Sequence, residues 1–193
     1  MMAVEQRLKQ ALSRRQKRHI VDTHREPSAV LLPVYRKQDD YYLLFTKRTQ
    51  QVKAHRGQVS FPGGAYQEED NSLLDTALRE CAEEIGLAPE RVEILGELDD
   101  AITQNSNYVI TPFVGVIPWP YDFRINIGEI EEIVEVPLSA IMDRSRWRQE
   151  TERIAGEETP VYFFNYQGRV IWGATARILN QFVGIIRPIL GKS

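Results

Sequence analysis

The sequence predicts an α+β sandwich with a mixed central β-sheet, built by a chain of 193 residues. Short β-rich runs and longer helical patterns follow one another without the regular strand–helix–strand alternation of a parallel sheet. An apolar content of 42% is sufficient for a hydrophobic core at this length. We divide the chain into a basic N-terminal helical arm, residues 1–27, and a main domain, residues 28–193.

Hydrophobic periodicity and turn residues give the first elements. An amphipathic pattern with a basic face predicts a helix over residues 4–18. Two β-rich runs, at 29–35 and 41–47, flank a charged turn and predict a hairpin. Residues 49–64 contain three glycines and a proline, and this composition predicts a loop.

A helix is predicted over residues 72–85, because apolar residues recur there at helical spacing. Acidic residues precede this helix, and Gly86 and Pro89 mark its end. The remaining pattern predicts strands at 92–98, 108–117 and 129–136, a short helix at 138–142, a hairpin of 161–165 and 169–172, and a helix at 174–187 that stops at Pro188.

Charge is unevenly distributed, although the formal net charge is only -3. Residues 1–27 hold seven basic and three acidic side chains, and residues 47–56 hold four basic side chains and no acid. Residues 68–100 hold twelve acids and two bases. This distribution argues against a nucleic-acid groove, which needs one broad positive face. It suits a metal site beside a phosphate-binding rim, or a merely solvated surface.

Compartment and membrane signals favour the cytoplasm. No apolar run approaches the roughly 20 residues of a membrane span, and the first residues lack a secretory apolar region. Cys81 is the one cysteine of the sequence, so an internal disulfide is excluded and a reducing compartment is favoured. Cys81 falls on the apolar face of the predicted helix, so we expect it to pack in the core.

Three carboxylates lie on the polar flank of the helix at 72–85. Glu80 and Glu84 are about 6 Å apart along the helix axis, and Glu83 lies on the same flank. Stacked like charges are unfavourable in an isolated helix, so they favour a counter-charge. Arg79 offsets one carboxylate, and a hard divalent cation such as Mg²⁺ would neutralise the rest. A solvated acidic face is the alternative interpretation.

These residues form a motif that resembles the Nudix box, the signature of hydrolases that split diphosphates linked to another moiety. Residues 79–87 (RECAEEIGL) match its REXXEEXG half in full, and Gly64 and Asp70 stand upstream. Asp70 replaces the usual Glu, and eight residues rather than seven separate it from Arg79. Both departures are familiar in the coenzyme A pyrophosphatase subgroup.

A second segment is similar to the same subgroup. Residues 46–64 (TKRTQQVKAHRGQVSFPGG) resemble the segment that marks the subgroup upstream of its Nudix box, although Lys53 stands where an Arg is usual. Lysine keeps the charge but lacks the planar fork that binds phosphate through two hydrogen bonds. Residues 108–115 and 172–176 also resemble the subgroup, so the likeness covers about residues 28 to 185.

The resemblance implies an α/β/α sandwich of the Nudix type and a hydrolase that depends on Mg²⁺ or Mn²⁺. Glu80, Glu84 and Glu83 would hold the metal, with the Gly64 carbonyl as a further ligand. Arg79 would pair with a ligand carboxylate or with Asp70. Glu83 and Glu129 are the candidate general bases, and an exposed acid in an acidic strand is the alternative for Glu129.

The implied substrate is coenzyme A or an acyl derivative, and the implied products are 3',5'-ADP and (acyl-)4'-phosphopantetheine. The basic side chains of residues 46–64 would bind its phosphates; they are Arg48, Lys53, His55 and Arg56. The alternatives are a Nudix hydrolase of ADP-ribose or a dinucleotide, and a ligand sensor of the same fold with little turnover. The predicted partner is a small molecule, without nucleic acid or membrane, and self-association into a homodimer is a further possibility.

Overall fold

The computed structural model describes residues 3–50, 57–104, 106–154 and 157–191. These residues form four helices, which are α1 (Val4–Ser13), α2 (Leu73–Ile85), α3 (Leu138–Met142) and α4 (Gly173–Leu190). Their strands are β1 (Glu26–Lys37), β2 (Asp40–Arg48), β3 (Val59–Ser60), β4 (Gly63–Ala65), β5 (Glu93–Glu97), β6 (Ala101–Ile102), β7 (Tyr108–Val116), β8 (Ile130–Pro137), β9 (Trp147–Ile154), β10 (Glu157–Tyr166) and β11 (Arg169–Trp172).

The central sheet is mixed, as predicted. Its strand order is β3-β2-β1-β7-β5, with β4 paired to β1, β6 to β7 and β8 to β2. The pairing of β1 with β7 is parallel, whereas β1 with β2 and β2 with β8 are antiparallel. A second, antiparallel sheet has the order β11-β10-β9. The predicted α+β class with a mixed central sheet is confirmed.

Both faces of the central sheet are buried. Successive residues of a strand point to opposite sides of the sheet, so each strand contributes side chains to both faces. Along β1, Leu31 and Tyr35 pack in one hydrophobic cluster and Leu32 and Val34 in another. The first cluster includes the apolar face of α2. The second includes residues of α1, α3 and α4. The sheet is therefore sandwiched between helices.

The predicted hairpin and the predicted helix at 138–142 are confirmed as β1–β2 and α3. Three predictions of local structure need correction. The first helix ends at Ser13 rather than at residue 18, the predicted loop at 49–64 contains the short strands β3 and β4, and β9 was not predicted. The sequence of β9 is almost entirely polar, WRQETERI, so it lacks the apolar alternation that marks a half-buried strand.

The last helix also differs from its prediction, because it continues through Pro188 to Leu190. Proline lacks the N–H that would bond to the preceding turn, and this loss usually ends a helix. Here the last turn is retained because Ile186 and Ile189 are buried in the core on either side of the proline. Within the described residues, no helix is both long and apolar enough to cross a lipid bilayer.

The basic N-terminal residues have acidic partners on the sheet. Arg15 lies 2.8 Å from Asp99, and the Nζ atom of Lys17 lies 3.0 Å from the Asp100 carboxylate. The backbone N–H of Ile20 also donates to Asp100. These contacts replace helical hydrogen bonds after Ser13, and they explain why α1 is shorter than its amphipathic pattern. They also pair part of the basic arm with part of the acidic segment.

We expect α1 to contribute to the stability of the whole domain, because Leu8 and Leu12 are buried in the same cluster as α4. Leu8→Ala should lower the free energy of unfolding by about 2–5 kcal/mol. Urea unfolding followed by fluorescence measures this change. Gln6→Ala, at an exposed position of the same helix, should shift it by less than about 0.5 kcal/mol. Equal effects of the two substitutions would show that α1 does not pack as described.

Candidate active site

Helix α2 fixes the position of the candidate acids. Ser72 caps its first turn by accepting a hydrogen bond from the Asp75 N–H, and Gly86 ends it in the left-handed conformation at φ 68°. Ala77, Cys81 and Ile85 are fully buried against the sheet. Burial raises the pKa of the Cys81 thiol well above its ordinary value, and the predicted packing role of this residue is confirmed. With this face buried, the acidic flank is held in one orientation.

Glu80 lies directly against Gly64, which is part of the strand β4 that pairs with β1. A Cβ atom on residue 64 would lie 2.5 Å from the Glu80 Cδ atom, so any residue other than glycine would force this carboxylate to move from its position. Burial raises the pKa of Glu80, and the adjacent guanidinium of Arg79 opposes that shift. Strand β4 and the Glu80 carboxylate therefore contact one another at the surface of α2.

Glu84 is the most buried of the three acids, with 3% of its side chain exposed. Its Oε1 atom accepts a hydrogen bond of 3.5 Å from Arg48 Nη1. Its Oε2 atom is buried and has no hydrogen-bond partner among the described residues. Burial raises the pKa of Glu84 to about 8, and the positive charge of Arg48 offsets only part of this shift. The backbone N–H of Gly63 also lowers this pKa, but no described group forms a hydrogen bond of normal geometry with Oε2, which is left unsatisfied.

Arg79 connects the acids of the motif through its five N–H groups. Its Nε and Nη2 atoms donate to the two oxygens of Asp70 at 2.9 and 3.1 Å. Its Nη1 atom donates to Glu80 at 2.8 Å and to Glu83 at 3.1 Å, and Nη2 also donates to the Ala65 carbonyl. The guanidinium therefore holds a ligand candidate and Asp70 at the same time, as the resemblance implies.

Asp70 is buried and accepts further hydrogen bonds from the Thr76 hydroxyl and the Gln67 N–H. The hydrogen bonds from Arg79 lower the pKa of Asp70 to about 2, and those from Gln67 and Thr76 act in the same direction. Asp70, which is shorter than the usual Glu of the motif, therefore has hydrogen-bond donors for both of its carboxylate oxygens. Sequence reasoning did not identify Thr76, which faces Asp70 one turn before Arg79.

The two candidate bases lie in more open positions. Glu83 has 56% of its side chain exposed and contacts Arg79. Glu129 has 47% exposed, and its Oε2 atom lies 3.9 Å from Arg48 Nη2. Arg48 thus lies between Glu84 and Glu129, a pairing that the sequence did not reveal. The other predicted substrate-binding residues, Lys53, His55 and Arg56, lie outside the described residues.

A cavity of about 710 Å³ adjoins these acids. Arg48, Gly64 and Glu129 are on its wall, so the cavity reaches the candidate catalytic groups. Sequence reasoning did not assign its other residues to a site, although residues 172–176 carried part of the resemblance. The lining further includes apolar and aromatic side chains from several elements, namely Val30, Phe61, Tyr108, Ile110, Trp172 and Ile178.

Comparison with known proteins agrees with this geometry. The protein-family model of the NUDIX domain matches residues 24–155, which is more than half of the chain. The chain belongs to the Nudix family. It is similar to the uncharacterized Nudix hydrolase NudL of Photorhabdus laumondii, with 38% identity over 154 residues that cover 80% of this chain and 81% of that protein. NudL of Enterobacter sp. strain 638 is 38% identical over 160 residues, covering 82% and 81%.

Solved structures share the fold at low sequence identity. A MutT/Nudix family protein from Enterococcus faecalis has a TM-score of 0.58 at 14% identity, covering 99% of this chain and 76% of that one. The Ap4A hydrolase of C. elegans, solved as a binary complex, has a TM-score of 0.55 at 13% identity, with coverage of 84% and 98%. The predicted Nudix fold and the prediction of a Nudix hydrolase acting on phosphoanhydrides are confirmed.

Nudix hydrolases generally need divalent metal ions, and the acids of α2 fit such an ion chemically. The side chains of Glu80, Glu83 and Glu84 offer only oxygen atoms, which are the ligands that hard cations prefer. The unsatisfied Oε2 atom of Glu84 and the close approach of the Glu80 carboxylate to the Gly64 backbone support the same assignment. Among the described residues, no three acidic, His or Cys side chains converge closely enough to hold an ion as they stand.

Gly64→Ala tests the fit between Gly64 and Glu80. The added Cβ would displace the Glu80 carboxylate, and we expect kcat to fall by about 10²–10³ while the domain stays folded. Steady-state hydrolysis and thermal unfolding measure the two effects. Gly184→Ala is the matched control, because its Cβ meets nothing within 4 Å and the position lies inside α4. It should leave kcat unchanged. Full activity of Gly64→Ala would contradict the described site.

Asp70→Asn tests the contribution of the Asp70–Arg79 pair to stability. The amide NH₂ group of the substituted side chain would face an N–H donor of Arg79 in place of an oxygen acceptor. The free energy of unfolding should therefore fall by about 1–3 kcal/mol at pH 7. The pKa of Asp70 is lowered on folding, so its stabilisation is complete above about pH 4 and lost as the pH falls toward 2. Urea unfolding from pH 7 to pH 2 should show the two proteins converging.

Asp39→Asn, at the exposed turn between β1 and β2, is the control for this experiment. It should match the parent within about 0.5 kcal/mol at every pH. A difference between parent and Asp70→Asn that persists unchanged to pH 2 would contradict the pairing with Arg79.

Proposed function

We propose that this Nudix hydrolase cleaves the diphosphate of coenzyme A or acyl-coenzyme A, giving 3',5'-ADP and (acyl-)4'-phosphopantetheine. The observation that carries the hydrolytic assignment is the desolvated Glu84 carboxylate, with one unsatisfied oxygen, on the same helix as Glu80. Glu84 contacts Arg48 and Glu80 contacts Gly64, and both of these partners lie on the wall of a large cavity. The preference for coenzyme A rests on the segment 46–64 and its likeness to the coenzyme A pyrophosphatases. A cytoplasmic location and pairing with a second copy are parts of the same proposal.

Glu80, Glu84 and Glu83 would hold the metal, together with the Gly64 carbonyl. All of these donors are oxygen atoms, which favours Mg²⁺ or Mn²⁺ over softer ions. When bound, such an ion supplies charge neutralisation and Lewis-acid activation for the splitting of a phosphoanhydride. Arg79 keeps Glu80 in place through their contact of 2.8 Å, and Asp70 in turn keeps Arg79 in place.

The exposed acids suit proton transfer better than the buried ones. A general base must reach the water molecule whose proton it accepts, and Glu83 and Glu129 both contact solvent. Glu129 also lies on the wall of the cavity, next to Arg48. Both remain candidates, and Glu129 is favoured by its position on the same cavity wall as Gly64.

The substrate phosphates would be bound by the basic residues of the segment 46–64. Arg48 is the described member of this group, and it lies on the cavity wall within 4 Å of two acids. Its planar guanidinium is suited to a diphosphate oxygen pair. Lys53, His55 and Arg56 complete the proposed phosphate-binding set, and their role rests on the sequence resemblance.

A second candidate function is hydrolysis of another nucleoside diphosphate derivative. The Nudix domain of Shewanella oneidensis NrtR was solved with ADP ribose, and it resembles this chain with a TM-score of 0.50 at 18% identity, covering 63% of this chain and 78% of that one. The C. elegans structure is an Ap4A hydrolase. These neighbours make ADP-ribose and Ap4A the comparison substrates for any assay.

We expect the chain to cleave coenzyme A in the presence of Mg²⁺, with products resolved by mass spectrometry against ADP-ribose and Ap4A. Glu84→Gln should reduce kcat by about 10²–10³ with the fold preserved, because an amide nitrogen replaces a carboxylate oxygen that would hold the metal. Glu90→Gln, an exposed acid beyond the end of α2, is the control and should match the parent. Intact coenzyme A beside cleaved ADP-ribose would overturn the substrate assignment. Equal rates for the parent and Glu84→Gln would favour the sensor.

A further inference from the structure

The cavity beside the acids is large and almost entirely neutral. Its volume of about 710 Å³ lies within the range of roughly 300–1,000 Å³ that is typical of small-molecule sites. Of the described residues that line it, Arg48 and Glu129 are the charged ones. These two lie 3.9 Å apart, so their charges largely compensate one another. Apart from the N–H groups at the start of α4, the described lining therefore holds no uncompensated positive group for an additional negative charge.

The walls away from Arg48 combine uncharged polar side chains, such as those of Ser28 and Thr103, with a larger apolar surface. Val30 and Ile110 come from the central sheet, and Phe61 lies between β3 and β4, stacked on Phe45 at 4.5 Å between ring centroids. Ile178 of α4 closes another side. Trp172 ends β11 with 39% of its surface exposed, so its ring is accessible at the cavity although it is one of the largest apolar side chains.

The first turn of α4 also lines the cavity, through Gly173, Ala174 and Thr175. No side chain of the described residues caps this helix, and the first N–H groups of a helix have no acceptor inside it. Carbonyl oxygens of amide groups are suitable acceptors for such donors. A phosphate would suit them as well, so an experiment must separate the two ligands.

We infer that this cavity binds the uncharged half of the substrate, the pantetheine arm and its acyl group, and that the phosphorylated nucleoside lies outside it. This inference rests on the proposed function, since it assigns the two halves of coenzyme A to different places. The 3'-phosphate carries charge that a neutral, mainly apolar cavity would have to desolvate, which is strongly unfavourable without a partner. The polar groups of the pantetheine arm are amides, a hydroxyl and a terminal thiol or thioester, all of them uncharged, and the acyl chain is apolar.

If the cavity holds the acyl group, the length of the acyl chain of the substrate should determine kcat/KM. Each methylene group that enters the apolar cavity adds a factor of up to about four to kcat/KM. The rate constant kcat/KM should therefore rise from coenzyme A through acetyl- to octanoyl-coenzyme A. A flat series would contradict the assignment.

Ala174→Leu tests the position of the arm directly, because it adds three carbon atoms at a partly buried site on the cavity wall. The measured quantities are the inhibition constants of octanoyl-4'-phosphopantetheine and of 3',5'-ADP. We expect the first to rise at least about tenfold, from overpacking of the cavity, and the second to change less than about twofold. Ala11→Leu makes the same change at a partly buried site of α1 that does not line the cavity, and both constants should stay as in the parent.

A second pair of substitutions keeps the test valid if Ala174→Leu does not fold. Trp172→Ala removes an aromatic wall, and Val170→Ala removes an exposed side chain two residues earlier on the same strand. Trp172→Ala should lower kcat/KM about tenfold for octanoyl-coenzyme A and much less for coenzyme A, whereas Val170→Ala should leave both unchanged.

The outcomes separate this inference from the proposed function. A rise in the inhibition constant of 3',5'-ADP alone would place the nucleotide in the cavity and overturn the inference, while cleavage of coenzyme A would still stand. Unchanged inhibition constants with a flat chain-length series would overturn it in the same way. A parent protein that leaves coenzyme A intact and cleaves ADP-ribose would overturn both.

Discussion

The site depends on the packing of one helix face. Ala77, Cys81 and Ile85 of α2 are fully buried against the sheet, and this contact fixes the rotation of the helix. Glu84 lies immediately before Ile85, so the same contact takes its carboxylate out of water. Removing a carboxylate from water costs several kcal/mol unless a charge partner is present. The apolar packing of α2 therefore places a carboxylate where it needs a positively charged partner.

Two arginines from different parts of the chain compensate part of the negative charge of the acids at this site. Arg79 lies on α2 itself and reaches Asp70, Glu80 and Glu83, whereas Arg48 arrives from the end of β2 and reaches Glu84. Among the described residues, five carboxylates (those three with Glu84 and Glu129) thus share two guanidinium groups, so the carboxylates outnumber the cations that contact them. The unsatisfied Oε2 atom of Glu84 is the place where that excess is least compensated. An additional cation would compensate this charge, in agreement with the general need of Nudix hydrolases for divalent metal ions.

Much of this arrangement could be predicted from the sequence, and the reasons are local. The bounds of α2 follow from its helical period, from the acidic residues before it and from Gly86, and β1 and β2 follow from β-rich runs that are apolar on both faces. The pairing of Arg48 with Glu84 could not be predicted, because the two residues are 36 positions apart and meet only through tertiary packing. The cavity likewise depends on how β11 and α4 meet the central sheet.

The burial of the four acids on this side of the molecule suggests how their work is divided. Glu80 and Glu84 are the less exposed pair, and a buried carboxylate exchanges protons with water only at the cost of exposing itself. Such groups are suited to hold a cation continuously. Glu83 and Glu129 remain in contact with solvent and can take up and release protons without any rearrangement. In the proposed function, charge compensation and proton transfer are therefore assigned to acids at different depths of the same site.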